Sequence, residues 1–330
     1  MGFMDRLLGK KEKPPVIKAG VIGEGILAER LAEAYRACHG IEFMGMEPVG
    51  SADDLIRTPG LQAVEVVAPA AGRAGIAAAC IRAGLFTSMD PPHDLEALEE
   101  LSSLSRSYNT ALRFRLLPLY YPPYREVKRL VDEDHLGRPL TLKLMVRRGK
   151  GAELPEELDP GKWVMEHELG FLALSQWLMG PVEKVYARLN KKGANGAPAS
   201  SMIMWKYVDL HQYGYLQMDF CPGLHVRSFT DPVHRFLELT SVGGLIMVTR
   251  GEGQLLRMPV LMVRGKSTTT SFEMIPEEWS EVYNNLARET RQIIIKKRPI
   301  TGTAEVAMST IRLVQAARTS AEKGDEVEIQ

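Results

Sequence analysis

The sequence predicts an α/β protein with two parts: a doubly wound parallel sheet, followed by a second α/β domain with a large, mostly antiparallel open sheet. Short apolar runs alternate with helical segments from Val16 to Phe114, as in a sheet built from right-handed crossovers. A glycine-rich turn follows the first of these runs. Beyond Val185 the pattern changes to short strand-like stretches separated by turn signals. The length of 330 residues also favours two domains.

The first domain is predicted over residues 16–118, with alternation of strand and helix throughout. Its strands are expected at Val16–Ile22, Ile41–Met46, Ala63–Ala68, Leu85–Met89 and Ala111–Phe114. Its helices are expected at Ile26–Cys38, Ala52–Ile56, Arg73–Ala83 and Leu95–Tyr108. Ser51 is of a residue type that favours the N-cap position, so we expect it to cap the second helix.

The second domain is predicted over residues 119–330. It opens with a helix at Tyr124–Asp132 and a strand at Thr141–Val146, and then continues through a loop at Gly149–Pro160 and an apolar helix at Glu166–Leu178. The strand-like stretches that follow are Ala187–Leu189, Met202–Tyr207, Tyr213–Phe220, Leu237–Thr240, Leu245–Thr249 and Val260–Val263. Two closing helices are expected at Glu277–Ile295 and Glu305–Glu322.

Composition restricts the class of partner. Lys plus Arg and Asp plus Glu each number 41, so the formal net charge is zero and nothing favours a nucleic-acid partner. Three cysteines form no disulfide framework and suit a reducing, cytoplasmic location. The apolar runs are too short for an integral membrane segment. Residues 1–15 are interpreted as an amphipathic tail, either frayed or docked on a partner, with a weak membrane-surface anchor as the alternative.

The glycine turn has the pattern of a dinucleotide-binding site. Gly23-Glu24-Gly25-Ile26 follows a strand and opens a helix, and Ala28 completes a Gly-x-Gly-x-x-Ala motif. Gly23 would permit the turn, Gly25 would let the backbone approach a pyrophosphate, and Ala28 would let the helix pack closely on the sheet. A carboxylate at Glu24 fits only if it points to solvent. The motif therefore predicts a Rossmann domain that binds NAD(P).

Glu47 stands where such domains bind the adenosine ribose. It follows the second predicted strand, about 20 residues beyond the glycines, and a carboxylate there would hold the ribose diol. The cofactor prediction is accordingly NAD, with NADP possible. The alternative interpretation of Glu47 is a solvated loop residue.

Four further stretches resemble the Gfo/Idh/MocA family of oxidoreductases: Val64–Pro69 with the helix ending Ile81–Gly84, Tyr121–Pro139, Ser175–Val182 and Val314–Val327. The resemblance implies hydride transfer between NAD(P) and a carbinol carbon of a small polar hydroxy or keto compound. It implies that Ala68 and Pro69 line the cofactor path. It also implies that the open sheet of the second domain forms a homodimer or homotetramer.

Two catalytic motifs of that family are altered in this chain. Where the family has Glu-Lys-Pro, this chain has Asp90-Pro91-Pro92, and Asp90 takes the place either of the glutamate or of the lysine. In both alignments the stretch supplies a carboxylate but no amine. In the family's Asp-x-x-x-His, Glu166 takes the place of the aspartate and Gly170 that of the histidine. His167 lies three residues earlier, about one helical turn, and could enter the vacated space. The candidate proton-transfer residues are therefore Asp90, Glu166 and His167. For His167, packing at the helix start is the alternative.

Other residues are candidates for contacts with the substrate. Arg113 and Arg115 follow the fifth strand, where they would clamp a substrate carboxylate or phosphate, or else form ion pairs between the domains. Tyr121 belongs to an aromatic cluster that would line a pocket or pack at the domain junction. The histidines of the second domain have no compact metal-binding spacing, so no metal is predicted.

Two functions remain open at this stage. The first is an NAD(P)-dependent oxidoreductase. The second is a diverged homologue without hydride transfer, acting as a binding or regulatory subunit or as a lyase or hydratase in the same cleft. The altered catalytic motifs, and the short segment between Glu47 and Leu61 that reduces the adenosine side of the pocket, favour the second.

Overall fold

The computed structural model describes residues 15–149, 164–190, 200–209, 211–227, 232–251, 253–255 and 257–329. The predicted tail, apart from residue 15, and the predicted loop at Gly149–Pro160, apart from its first residue, lie outside these ranges. Within the described parts of the chain, no helix is both long and apolar enough to cross a membrane.

The first domain is a five-stranded parallel sheet of strand order β2-β1-β3-β4-β5 with helices packed on it. The strands are β1 Ile17–Gly23, β2 Ile41–Glu47, β3 Ala63–Val67, β4 Phe86–Met89 and β5 Leu112–Phe114. The helices are α1 Ile26–Ala37, α2 Ala52–Ile56, α3 Ala70–Arg82 and α4 Leu95–Ser107. Strand β1 is almost wholly buried, as expected for a parallel strand covered on both faces.

The second domain is built on a nine-stranded mixed sheet in the order β13-β12-β11-β10-β6-β9-β8-β7-β14. Only β6 and β9 pair in parallel among these described strands; the other neighbours are antiparallel. The strands are β6 Pro139–Arg148, β7 Val182–Arg188, β8 Ser201–Tyr207, β9 Tyr213–Phe220, β10 Val233–Ser241, β11 Gly244–Gly251, β12 Leu261–Arg264, β13 Thr269–Phe272 and β14 Val327–Glu328. The helices are α5 Pro122–Asp132, α6 Leu169–Met179, α7 Ser280–Lys296 and α8 Ala304–Lys323. The predicted fold class is confirmed.

The C-terminal helices return to the first domain. Helix α7 packs against α1, and helix α8 contacts α4 and β5. The backbone amide of Phe114, at the end of β5, donates a 2.8 Å hydrogen bond to the carbonyl of Gly302. The sequence division at residue 118 stays a prediction, because the last helices serve both parts of the fold.

Local differences from the sequence expectations have simple causes. The prediction that Ser51 caps α2 through its side chain is wrong, because Ser51 ends a 3₁₀ turn at Val49–Ser51 and makes no capping hydrogen bond. Edge strand β13 is polar and largely exposed, so it carries no apolar alternation by which to recognise it. Strand β14 has only two residues, and its pairing with β7 depends on tertiary structure.

Candidate active site

The carboxyl ends of the parallel strands form the edge on which the candidate site is built. Strand β1 lies between β2 and β3, so the chain leaves β1 toward one side and returns on the other. Such a switch point opens a crevice at the carboxyl edge of the sheet, and ligands of doubly wound sheets bind there. The glycine turn between β1 and α1 lies at this switch point.

The two motif glycines have different structural roles. A Cβ on Gly23 (φ +143°) would lie 2.0 Å from the carbonyl oxygen of Val67, so the missing side chain lets β1 lie against the end of β3. Gly25 has φ +84°, and a Cβ there would meet no atom within 4 Å. Ala28, in the first turn of α1, is fully buried. Gly23 is therefore required for packing, whereas the space beside Gly25 is open to a ligand.

The start of α1 is suited to an anion. Gly25 is the N-cap residue and supplies no side-chain hydrogen bond to the first amides of the helix. Glu24 is exposed at the turn, and Ile26 is 68% exposed, which is unusual for an isoleucine in a folded protein. Uncapped amides and the helix dipole favour negative charge at this point.

The other predicted cofactor contacts lie along the same edge. Glu47 is the last residue of β2 and pairs with Ile22 across the ladder, so its half-buried side chain stands one strand from the glycine turn. Ala68 and Pro69 follow β3 directly, and α3 begins at Ala70. The residues predicted from separate motifs thus meet at one edge of the sheet.

A cavity of about 570 Å³ lies between this edge and the start of α6. The three predicted proton-transfer residues all line it. Two arginines from the first domain and one from the second also line it, together with an apolar wall. The ionisable side chains of this lining include Asp90, Glu166, His167, Arg73, Arg115 and Arg235.

Asp90 is held in place by Arg115. Its two carboxylate oxygens accept hydrogen bonds from Nε and Nη2 of Arg115 at 3.2 and 2.8 Å, and its side chain is 30% exposed. The remaining donors of Arg115 are directed to Glu65 and to the carbonyls of Ser88 and Val66. Arg115 therefore lines the cavity with its donors already bonded, so it serves to position Asp90.

Behind Asp90 lies a fully buried ion cluster. Glu65, on β3, accepts hydrogen bonds from Arg113 at 2.5 Å, from Arg115 at 2.8 Å and from the hydroxyl of Tyr35 at 2.6 Å. Arg113 also donates to Glu289 of α7 at 3.2 Å. Burial alone would raise the pKa of Glu65, but Arg113 and Arg115 outweigh it and keep that pKa below its usual range.

His167 lies in a single π-helical turn, Val164–Glu168, that leads into α6. Such turns are uncommon and often occur at functional sites. Its side chain is 41% exposed, and Nε2 lies 4.0 Å from a carboxylate oxygen of Glu166. Burial and, next, the charge of Arg148 hold the pKa of His167 below its usual value. The imidazole is therefore neutral near pH 7 and suited to accept a proton.

The position left empty by the usual histidine is physically closed. A Cβ at Gly170 would lie 2.5 Å from Cδ of Pro118, and both residues line the cavity. Pro118 belongs to a 3₁₀ turn, Leu117–Tyr120, that packs against α6. A side chain at position 170 would require Pro118 to move, and among the π-helical and α6 residues that line the cavity it is His167 that supplies an imidazole.

Two predicted substrate contacts lie away from the cavity. Arg113 is completely buried among Glu65, Glu289, Ser88 and the carbonyl of Leu286. The hydroxyl of Tyr121 donates to the carbonyls of Arg250 and Glu277, and its ring is buried. Arg113 therefore forms the inter-domain ion pairs and Tyr121 the junction packing, so neither is retained as a substrate contact.

Sequence reasoning missed residues both in the lining of the cavity, such as Arg73 and Arg235, and behind it, such as Glu168. Glu168 is fully buried and accepts hydrogen bonds from Arg235 at 3.2 Å. Arg73, in the first turn of α3, lines the cavity beside Pro91. The local sequence does not distinguish Glu168 from other carboxylates at a helix start, or Arg73 from a residue on a helix surface. Only the tertiary structure distinguishes them.

No group of three or more His, Cys, Asp or Glu side chains in the described ranges is arranged to hold a metal ion. The arrangement at the cavity is instead one of ion pairs with a neutral imidazole. It can exchange a proton at His167 and carries guanidinium charge close to where a ligand would lie.

No family model matches the chain. One curated protein, the inositol 2-dehydrogenase/D-chiro-inositol 3-dehydrogenase of Lactiplantibacillus plantarum, is 26% identical over 129 residues. That match covers 38% of this chain and only 36% of the length of the relative.

Solved structures match along nearly the whole chain. An NAD-binding oxidoreductase from Klebsiella pneumoniae superposes with a TM-score of 0.77 at 14% identity, covering 96% of this chain and 99% of that one. An oxidoreductase from Agrobacterium radiobacter, solved with NAD+, L-tartaric acid and magnesium, gives 0.76 at 13% identity, covering 95% and 98%. The scyllo-inositol dehydrogenase of Lactobacillus casei gives 0.72 at 15% identity, covering 96% and 98%.

These neighbours are dehydrogenases and other oxidoreductases. The chain has the fold of the Gfo/Idh/MocA-type oxidoreductases, and the resemblance seen in its motifs is confirmed at the level of the fold.

Proposed function

We propose that the protein is an NAD(P)-dependent oxidoreductase acting on a small polar hydroxy or keto compound. The observation that carries this proposal is the open space at Gly25, beside the uncapped start of α1 and on the same sheet edge as a cavity lined by Asp90, Glu166 and His167. The structural neighbours, among them proteins described as NAD-binding, support it.

The residues present fit the cofactor. Gly23 and Gly25, with Glu24 turned to solvent and Ile26 exposed, leave room for a pyrophosphate against the first amides of α1. Glu47 at the end of β2 is placed to accept hydrogen bonds from a ribose diol, which favours NAD over NADP. When bound, the cofactor supplies the hydride donor or acceptor.

The chain itself supplies proton transfer and charge. The neutral imidazole of His167 takes the hydroxyl proton of an alcohol during oxidation and returns it during reduction. Glu166, 4.0 Å from that imidazole, stabilises the imidazolium that forms. Asp90 has both oxygens engaged by Arg115, so we assign it to orienting the substrate by accepting hydroxyl hydrogen bonds.

We further propose a cytoplasmic homodimer or homotetramer. The three cysteines form no disulfide, which suits a reducing compartment. The nine-stranded sheet carries exposed apolar side chains such as Met204 and Tyr213, which are 39% and 53% exposed. Light scattering of the purified protein tests the oligomeric state.

A second function is favoured by two observations. A side chain at the position of the usual histidine would meet Pro118, and the stretch that usually supplies an amine supplies instead the carboxylate of Asp90, which is paired with Arg115. Both changes suit a non-redox elimination or hydration in the same cavity. In that case His167 would still move a proton, but no net oxidation would occur.

The experiment is a screen of hydroxy and keto compounds with NAD+, NADP+ and their reduced forms, monitored by nicotinamide absorbance and by product analysis. Stoichiometric change of the nicotinamide with one substrate class supports the oxidoreductase. Product formation with no change in nicotinamide redox state supports the lyase or hydratase and contradicts the first proposal.

A further inference from the structure

The cavity contains one guanidinium whose donors are not engaged by protein carboxylates. Arg73 donates one hydrogen bond through Nη1, to the carbonyl of Pro91 at 3.3 Å. Its Nε is buried and has no hydrogen-bond partner. Among the described residues no carboxylate oxygen lies within 4.0 Å of Arg73, and Nη2 donates no hydrogen bond.

The other two arginines of the cavity wall differ from Arg73 because they already bind carboxylates. Arg115 is bound to both Asp90 and Glu65. Arg235 binds Glu168 through two of its nitrogens. Arg73 is also half-buried, and burial holds the pKa of its guanidinium below the usual value. A desolvated cation of this kind is stabilised when an anion binds it.

The donors of Arg73 that lack a partner lie on one edge of its planar guanidinium. Nη2 can donate to a carboxylate oxygen, and the buried Nε can join it in holding a second oxygen once the side chain turns toward the cavity. Arg73 belongs to the first turn of α3, whose N-cap residue is Pro69, and no side chain caps that end. The helix dipole therefore adds positive potential at the same wall of the cavity.

We propose that the cavity binds a substrate that carries a carboxylate and that Arg73 holds this group. A single guanidinium matches the charge of one carboxylate. Asp90 and Glu166 also line the cavity, and a phosphate dianion beside them would add more negative charge than Arg73 offsets. The substrate class is thus a hydroxy or keto acid. The inference that the substrate is oxidised or reduced rests on the proposed function. The binding of a carboxylate does not, because it can be measured without turnover.

The test compares gluconate with sorbitol, which have the same number of carbons and differ in a terminal carboxylate against a terminal carbinol. Binding of each to the full-length protein is measured by calorimetry and thermal shift, with and without NADH, and sodium acetate and inorganic phosphate serve as further probes. We expect gluconate to bind about tenfold or more tightly than sorbitol.

Three variants test whether Arg73 is responsible for the preference for gluconate over sorbitol. Arg73→Gln should abolish the preference for gluconate. Arg73→Lys keeps the positive charge but cannot bind two oxygens side by side, so it should retain part of the preference. Arg82→Gln is the matched control, because Arg82 lies exposed at the other end of the same helix and leaves the preference intact. NADH binding is expected to stay unchanged in all three variants.

The proposal is contradicted if gluconate and sorbitol bind equally well, or if neither gluconate nor acetate stabilises the protein. It is also contradicted if the preference for gluconate survives in Arg73→Gln, or if phosphate binds and gluconate does not. Competition between gluconate and NADH would assign Arg73 to the cofactor and also overturn it. If gluconate binds as expected but neither NADH nor NADPH binds, the cofactor proposal fails and the carboxylate site stands.

Discussion

The two ends of the cleft differ in how they are built. At the glycine turn the ligand-facing surface is backbone, with open space at Gly25 and no side chain capping α1. At the cavity much of the lining consists of charged side chains that are already paired, such as Asp90 with Arg115 and Arg235 with the buried Glu168. The glycine turn thus keeps the arrangement its motif predicts, whereas the cavity is lined by ion pairs and His167.

Substitutions at the two ends should therefore have different effects. At the backbone-built end a new side chain blocks a ligand without disturbing the core, because the space is empty. At the ion-paired end the removal of a charge should affect stability as well as chemistry, because most of the paired groups are buried and Asp90 is only 30% exposed.

The largest effect is expected at His167. We expect His167→Gln to lower kcat by about 10²–10⁴-fold, the usual contribution of a general base, with little change in cofactor affinity. The matched control is His39→Gln, since His39 is exposed before β2. Steady-state kinetics of both variants with the substrate found in the screen measure the effect. Wild-type activity in His167→Gln would remove the imidazole from the mechanism.

The pH profile sharpens the same assignment. Oxidation needs neutral His167, and burial holds the pKa of this side chain below its usual value of 6.5. Activity should therefore persist as pH falls past the ordinary histidine range and decline only below it. A limb of kcat/KM at or above that value would contradict the assignment.

The next effect is on stability, at the buried cluster behind Asp90. We expect Glu65→Gln to lower the free energy of unfolding by about 3–5 kcal/mol, because it removes the buried carboxylate that accepts hydrogen bonds from Arg113, Arg115 and Tyr35 and leaves each arginine with one carboxylate partner. Urea denaturation measures it, with Glu33→Gln, an exposed ion-pair residue, as the control that stays close to wild type.

The sign of the pH dependence follows from the lowered pKa of Glu65. Its contribution is fully present above the ordinary glutamate range and is lost as pH falls through the folded-state pKa. The loss of stability in Glu65→Gln should shrink on acidification. A constant difference between the variant and wild type at all pH values would contradict this.

A smaller effect is expected at the closed histidine position. We expect Gly170→Ala to destabilise the protein by about 1–3 kcal/mol, because its Cβ would lie 2.5 Å from Pro118. Gly75→Ala in α3 is the control: no atom lies within 4 Å of that Cβ, so it should be neutral or slightly stabilising. Adding Pro118→Ala to Gly170→Ala should recover part of the loss, and no recovery would mean that another contact closes the position.

The smallest effect concerns cofactor choice. Replacing Glu47 by arginine should weaken NADH binding and strengthen NADPH binding, each by about tenfold, because a cation would accept the extra phosphate. Glu42→Arg, on the same strand but exposed, is the control. An unchanged preference would place the ribose elsewhere.

The sequence predicted much of this fold for physical reasons that can be named. Buried parallel strands such as β1 are continuous apolar runs, and the glycine motif specifies both a turn and a helix start. Asp90, Glu166 and His167 were found from motif positions, and the structure brings them to one cavity. The local sequence pattern was sufficient to predict a residue's position wherever that position depends on a single strand, turn or helix.

Pairings between distant elements could not be predicted. Arg113 lies on β5 and Arg115 directly follows that strand, yet Arg113 is bound to α7 while Arg115 reaches the cavity. The closure of Gly170 by Pro118 joins a helix to a turn some fifty positions earlier in the chain. No local pattern records such contacts, and the role of Arg73 became visible only from the partners it lacks.

The proposed function depends on an intact dinucleotide site beside the ion-paired cavity. The most direct test is a titration of the purified protein with NADH and NADPH, followed by nicotinamide fluorescence, in wild type and Gly25→Asp. We predict saturable binding to wild type and about hundredfold weaker binding to Gly25→Asp, with unchanged thermal stability. No binding of either nucleotide, or equal binding by the variant, would contradict the account.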